Sequence, residues 1–233
     1  MHNDWALGSI HKALIKEFYK RGIDSNIIDW NVKYSKEEFL AFIDIYDVFV
    51  TLPGSSATSL LTCGVPYNKI IAIAHGRYDI QHGLSQGNDF KAFRGYGGVS
   101  QDLAIFSKSC DIDRNMTIVR NGINFNEFYR PTATELNVIG YAGVVKQSNH
   151  FANIKDWKRG HLVASVAEHT HTKLYAPSRR THLAMSAYYE NIDCLMVSST
   201  EQESCGLPLL EAAAAGRLPI STLTGINRDI TIG

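Results

Sequence analysis

Short apolar runs alternate with stretches of helical spacing along most of the 233-residue chain, and this alternation constrains the fold more than any other feature. Strands that alternate with helices are joined by crossovers, and crossovers favour a parallel sheet covered by helices. The segment Asp4 to Arg21 reads as a helix, with Leu7, Ile10, Leu14, Ile15 and Phe18 at helical spacing and Gly22 as its stop. SNIIDW follows as a short strand candidate. Ser35 is placed as the N-cap of a helix running to Phe42, with Phe39 and Leu40 on its apolar side. DVFVT reads as a buried strand broken by Pro53, Gly54 and Ser55. TSLLTCG is a helix and KIIAIAH a strand that ends at His75–Gly76. A less marked helix is expected between Gly83 and Lys91. GYGGVS, the helix DLAIFSKSC and the strand-to-turn run MTIVRNGIN complete the first half.

A boundary falls near FYRPTATE, where Pro131 sits among polar residues, and it divides the chain into domains 1–128 and 129–233. The pattern then restarts: NVIGYAG, KDWKRGHLVASVAEHT, TKLYAP, THLAMSAYYENI, DCLMVSS, PLLEAAAAG and LPIST alternate strand and helix. A doubly wound domain ordinarily opens on a strand. Here a helix starts almost at Met1 and the sequence stops at ITIG, just after a presumed loop, so both domains are expected to lack elements, a first strand in one and the late part of the other. Charge bears on partners. The formal net charge is zero, with 45% apolar and 20% charged residues, which argues against a nucleic-acid-binding footprint. The four cysteines form no CxxC pair, and no signal-peptide or membrane-span run is found, so a reducing, cytoplasmic setting is expected. His150, His161, His169 and His171 show no metal-like grouping.

The sharpest local feature is STEQESCGLPLLEAAAAG. Glu203 and Glu211 are separated by seven residues, with Gly206 and Pro208 forming a tight loop before a strong helix. Glu211 is expected in the first helical turn and Glu203 in the preceding loop. One acid can meet sugar hydroxyls while the other accepts from a ribose diol, and the helix terminus offers N–H groups to phosphate. Taken alone, this spacing equally describes a solvated loop acid and an ordinary first-turn acid.

The full string is more specific. Ser198, Ser199, Glu203, Gly206, Leu207, Pro208, Glu211, Ala212, Gly216 and Pro219, in that order, resemble the signature of the glycosyltransferase 4 family of retaining enzymes. NGINFNEFYRP resembles that family's interdomain segment, IGYAG its second glycine loop, MSAYYENIDCLMVSS the helix and strand before the Ser-rich loop, and GGVSQDL a strand-to-helix segment. Ser204 and Cys205 stand where many members carry glycine and phenylalanine. The resemblance implies the GT-B architecture, two Rossmann-like α/β domains with parallel sheets facing an interdomain cleft.

It also implies roles. Donor binding falls to Gly143, Lys146, Lys158, Arg159, Ser199, Glu203, Gly206, Leu207 and Glu211, with Gly160 as the turn after KDWKR. Val144 occupies the position where the family often has a basic residue, which leaves Lys146 as a substitute. His75, Glu203 and Lys158 are the candidate catalytic residues. Trp5, Gly8 and Asp79 are placed on the acceptor side, with Asp79 in the loop after His75. Thr224, Gly225 and Ile226 receive a nucleotide-side role.

The implied reaction transfers a hexose-like sugar, with retention, from a nucleoside-diphosphate sugar to a hydroxyl of a glycan, a lipid-linked glycan or a small molecule. It implies no obligatory metal or other cofactor, no nucleic acid, and room for peripheral contact at the inner membrane face. Basic groups and helix N–H donors would stabilise the leaving diphosphate. Two rivals stay open at this stage: a sugar-nucleotide-binding protein without turnover, suggested by Val144 and the abrupt ends, and a sugar-nucleotide epimerase of the same architecture.

Overall fold

The computed structural model describes residues 6–28, 35–143, 145, 157–177, 184–200 and 203–230. Its strands form two separate parallel sheets. The first takes β1 (Phe49–Thr51), β2 (Ile70–Ala74), β3 (Gly95–Gly98) and β4 (Thr117–Ile118) in the order β1-β2-β3-β4. The second takes β5 (Val138–Gly140), β6 (Lys173–Tyr175), β7 (Cys194–Val197) and β8 (Leu218–Ser221) in the order β6-β5-β7-β8. The chain therefore leaves β5 to one side for β6 and returns on the other for β7. That reversal is a topological switch point, and in open α/β sheets it opens a crevice beyond the strand carboxyl ends.

The helices are α1 (Ala6–Lys20), α2 (Lys36–Ile45), α3 (Ser55–Thr62), α4 (Arg77–Ser85), α5 (Gln101–Ser109), α6 (Phe125–Phe128), α7 (Gly160–His169), α8 (Met185–Tyr189), α9 (Leu207–Ala214) and α10 (Asn227–Ile230). Ser35 caps α2 as expected. Its Oγ accepts from the Glu38 N–H at 3.1 Å, and the Glu38 carboxylate accepts from the Ser35 N–H at 2.7 Å. This reciprocal pair is a capping box. Of the two apolar residues assigned to α2, Phe39 is buried and Leu40 is exposed. Within SNIIDW, residues 25–28 form no strand and the rest lies outside the described residues. The fourth helix starts at Arg77 rather than near Gly83. The reason is local: the Asp79 carboxylate accepts the His75 and Gly76 N–H groups, both at 2.8 Å, and starts the helix there.

Spatial contacts divide the chain into two units. One holds the second sheet and comprises the described parts of Met1–Lys33, Gly122–Ser198 and Leu207–Ser221. Its core gathers Phe128, Tyr188, Tyr189, Ile192, Leu195 and Ala212 on one side, and Ile139, Tyr141, Val163 and Ala167 on the other. The other unit holds the first sheet and comprises the described parts of Tyr34–Asn121, Ser199–Gly206 and Thr222–Gly233. Its buried residues include Ile70, Ala72 and Ala74 of β2, Leu60, Ile80 and Leu103, and Phe90, whose ring meets those of Phe93 and Tyr96 edge-to-face.

Charged contacts seat α10 in this second unit. The Asp229 carboxylate, fully buried, accepts from the Gln101 N–H at 3.2 Å and from Arg120 Nε at 3.0 Å. Gln101 is the first residue of α5, where an unpaired N–H favours an acidic partner. Asp102 is buried between Arg77 at 3.0 Å and Arg228 at 3.5 Å.

Candidate functional site

The switch point of the second sheet brings together the basic turn expected from the sequence. Tyr141 directly follows β5 and is buried. Its ring fills the space beside two glycines. A Cβ at Gly160 would stand 2.7 Å from the ring and one at Gly143 2.9 Å, so neither position accepts a larger residue without displacing it. The Tyr141 hydroxyl donates to the Lys158 carbonyl at 3.3 Å. Ser198, the residue after β7, brings its Oγ to 2.9 Å from the carbonyls of both Lys158 and Arg159. Arg159 Nε donates in return to the Ser198 carbonyl at 2.6 Å. Arg159 takes a left-handed conformation, φ 48°, and α7 begins on the next residue. Lys158 holds its ammonium 5.0 Å from the Trp157 ring centroid, within cation–π range.

The result is a helix N-terminus flanked by two cations and tied to the end of β7. The positive end of the helix dipole suits such a terminus to an anion. Lys158, Arg159 and Gly143 therefore meet around one turn. Lys146 and Val144 lie outside the described residues. Ser198 is the site residue that sequence reasoning quoted only as part of a motif. Its one local signal is a serine directly after a buried apolar strand.

Around α9 the structure corrects one expectation. The helix starts at Leu207, two residues before the run of strong helix formers, and Pro208 sits in its first turn, where a missing N–H costs nothing. Glu211 is thus in the second turn, not the first. It is only 2% exposed, and its Oε2 accepts from the Tyr189 hydroxyl at 2.8 Å. Burial, and then the nearby Glu211 charge, push the Tyr189 phenol well above its usual range. The phenol is accordingly a fixed donor to this carboxylate.

Glu203 behaves differently. Its Oε1 accepts the Gly206 N–H at 3.1 Å and its own N–H donates to the Thr200 carbonyl at 3.0 Å, so the acid closes its own loop rather than extending from it. Gly206 has φ 66°, a conformation that favours glycine. Ser199 is buried, and its carbonyl accepts from the Thr222 hydroxyl at 2.6 Å. Leu207 is buried at the start of α9. In the 224–226 segment, the Ile226 N–H donates to the Cys205 carbonyl at 3.3 Å.

In the unit with the first sheet, His75 directly follows β2 and shares the Asp79 carboxylate with Gly76 through backbone N–H groups. Asp79 is the third residue of α4, a helix position and not the loop expected. Its carboxyl is held above the usual carboxylate range because burial outweighs those two N–H donors. A hydrogen-bonded chain that sequence reasoning missed runs beside it: Ser55 Oγ lies 2.9 Å from His82 Nε2, and His82 Nδ1 lies 2.9 Å from the Tyr78 hydroxyl. The Tyr78–His82 spacing of four residues on a helix was its only signal. Gly8 is the third residue of α1, and Trp5 lies outside the described residues. Among the described residues, no group of three or more His, Cys, Asp or Glu side chains could hold a metal ion. No described helix is long and apolar enough to cross a membrane.

No protein-family model and no curated protein sequence matches the chain. A crystal structure of Anabaena Alr3699/HepE in complex with UDP and glucose is similar in fold, with a TM-score of 0.57 and 12% sequence identity, over 95% of this chain and 73% of that one. With its two separate helix-flanked parallel sheets, this chain has a two-domain GT-B-like α/β architecture.

Proposed function

We propose that the protein is a retaining glycosyltransferase of the glycosyltransferase 4 type, which moves a hexose-like sugar from a nucleoside-diphosphate sugar to a hydroxyl acceptor in glycan or surface-polysaccharide synthesis. The observation that carries this reading is the turn at 157–160. It puts Lys158, Arg159 and the N-terminus of α7 at the switch point of the second sheet, pinned by Ser198 and Tyr141. A diphosphate is the ligand that this combination of fixed N–H groups and cations suits best.

In this reading the diphosphate leaving group develops charge against Lys158 and the α7 N–H groups, which are fixed before the reaction and need no reorganisation. Glu211 takes the donor ribose and Glu203 the transferred sugar. Gly143, Lys146, Ser199, Gly206 and Leu207 complete the donor side. His75 contacts the transferred sugar, and Trp5, Gly8 and Asp79 belong to the acceptor side. The donor domain is the one built on β5–β8, whose strands fall within residues 129–233, and the acceptor domain the one built on β1–β4, whose strands fall within residues 1–128. No side chain is assigned as a nucleophile; the leaving oxygen takes the acceptor proton on the same face. The setting is cytoplasmic, with peripheral membrane contact for a lipid-linked acceptor. Because the Anabaena structure contains UDP and glucose, UDP-glucose is the first donor to test.

The test is calorimetric titration of wild type and Lys158→Ala with UDP, GDP and ADP sugars, followed by analysis of the anomeric configuration of the product. Weaker binding and slower turnover in the variant, with a retained product, support the reading. Unchanged affinity and rate make Lys158 a loop charge only, and an inverted product excludes the retaining class.

A further inference from the structure

We propose that Tyr189 is the positioning residue that orients Glu211 toward the ribose of the nucleotide donor, an inference that rests on the donor reading of Glu211 above. Glu211 is a buried acid on α9, and Tyr189 is the last residue of α8. Twenty-two positions separate them, so their contact is a product of tertiary packing. The phenol side is rigid. Tyr189 is fully buried, with its ring edge-to-face against Phe128 at 6.0 Å and against Tyr188 at 5.1 Å. Arg217 Nε holds its backbone carbonyl at 2.7 Å. From that anchored ring the hydroxyl donates to Glu211 Oε2 at 2.8 Å, while the Pro208 carbonyl lies farther away at 3.3 Å.

A phenol carries one hydrogen, and the shorter, charge-assisted bond is the stronger use of it. With Oε2 held, the plane of the carboxylate is set. A carboxylate meets two adjacent hydroxyls well only when that plane is set in advance, and a group fixed beforehand loses less entropy when its ligand arrives. Without the phenol the Glu211 carboxylate would lose the hydrogen bond that holds Oε2, and it would sit in the core with its charge less well compensated. Tyr189 itself touches no substrate in this scheme. It acts through Glu211, and its effect should be confined to ligands that present ribose hydroxyls.

The experiment measures binding of UDP, GDP and ADP to wild type, Glu211→Gln and Tyr189→Phe. The 2′,3′-dideoxy form of the tightest binder is then titrated against all three proteins. Tyr189→Phe is expected to weaken the ribonucleotide by about tenfold, the scale of one lost hydrogen bond to a charged group, and to leave the dideoxy form bound as in wild type. Equal weakening of both forms would mean a general loss of structure and would overturn the inference. So would an unchanged ribonucleotide affinity in Tyr189→Phe while Glu211→Gln weakens it. An unchanged affinity in Glu211→Gln removes the ribose reading itself, and the inference with it. Should Tyr189→Phe not fold, the double variant with Glu211→Gln relieves the buried charge and is measured in its place. Its preference for the ribonucleotide over the dideoxy form must equal that of Glu211→Gln alone, and any further loss of that preference counts against the inference.

Discussion

Glu211 and Glu203 are alike in chemistry and close in sequence, yet the fold restrains them in opposite ways. Glu211 is buried and bound by a phenol from another helix, whereas Glu203 is partly exposed and bound by an N–H of its own loop. The first acid is placed by the packing of the second-sheet core, and the second by a turn of a few residues. Tertiary placement gives a fixed geometry that fails expensively, and local placement gives a geometry that a ligand can remodel.

The largest expected effect tests the fixed member. Glu211→Ala removes a buried carboxylate and leaves the Tyr189 hydroxyl without that acceptor, a loss of about 2–3 kcal/mol of folding stability. Chemical denaturation measures it, and a loss no greater than that of a surface substitution would erase the contrast. Ser198→Ala comes next, because Ser198 is also a tertiary tie. Losing the Oγ contacts to residues 158 and 159 should cost about 1 kcal/mol and weaken diphosphate binding more than binding of the matching nucleoside. Equal weakening of the two ligands would show that Ser198 supports the core and not the basic turn.

Asp79 offers a smaller effect with a defined sign. Its carboxyl is raised above 3.8 in the folded state. The stability it contributes is therefore fully present below 3.8 and is lost as pH rises through its elevated folded value. Asp79→Asn should flatten the stability profile in that acidic window, and urea midpoints taken across it supply the check. A parallel displacement of the whole profile would assign the substitution to lost α4 capping alone.

Glu203→Gln should change stability least, by less than about 0.5 kcal/mol, since one loop contact to a half-exposed group is at stake. In turnover the order reverses. If Glu203 meets the transferred sugar in the transition state, its variant loses rate with donor affinity kept. A variant that keeps both the wild-type rate and the wild-type affinity would remove Glu203 from the donor site.

These contrasts explain what was legible beforehand. Features written within a few residues could be read directly: the Ser35 N-cap, the glycine turn before α9, and the strand runs at β2 and β7. They depend on local propensity and periodicity, which sequence carries in full. The starts of α4 and α9 were misplaced because a side chain reaching back, as Asp79 does, and a proline tolerated in a first turn both extend a helix past its apolar pattern. The Tyr189–Glu211 and Ser198–Lys158 contacts were illegible for another reason. They span 22 and 40 positions, and nothing in either segment marks the other as its partner.

The division of the chain into two units carries a practical consequence. The polypeptide crosses from one to the other between residues 28 and 35, and again at Asn121–Gly122, Ser198–Ser199, Gly206–Leu207 and Ser221–Thr222. A single cut, whether by a protease or by a designed fragment end, therefore releases neither unit whole. A piece that stops before Ser199 forfeits Asp229, the acid that covers the first N–H of α5, and leaves Arg120 without this partner. Limited proteolysis should show the two units failing together as one cooperative event, and exchange of a unit between proteins would have to carry several discontinuous segments at once.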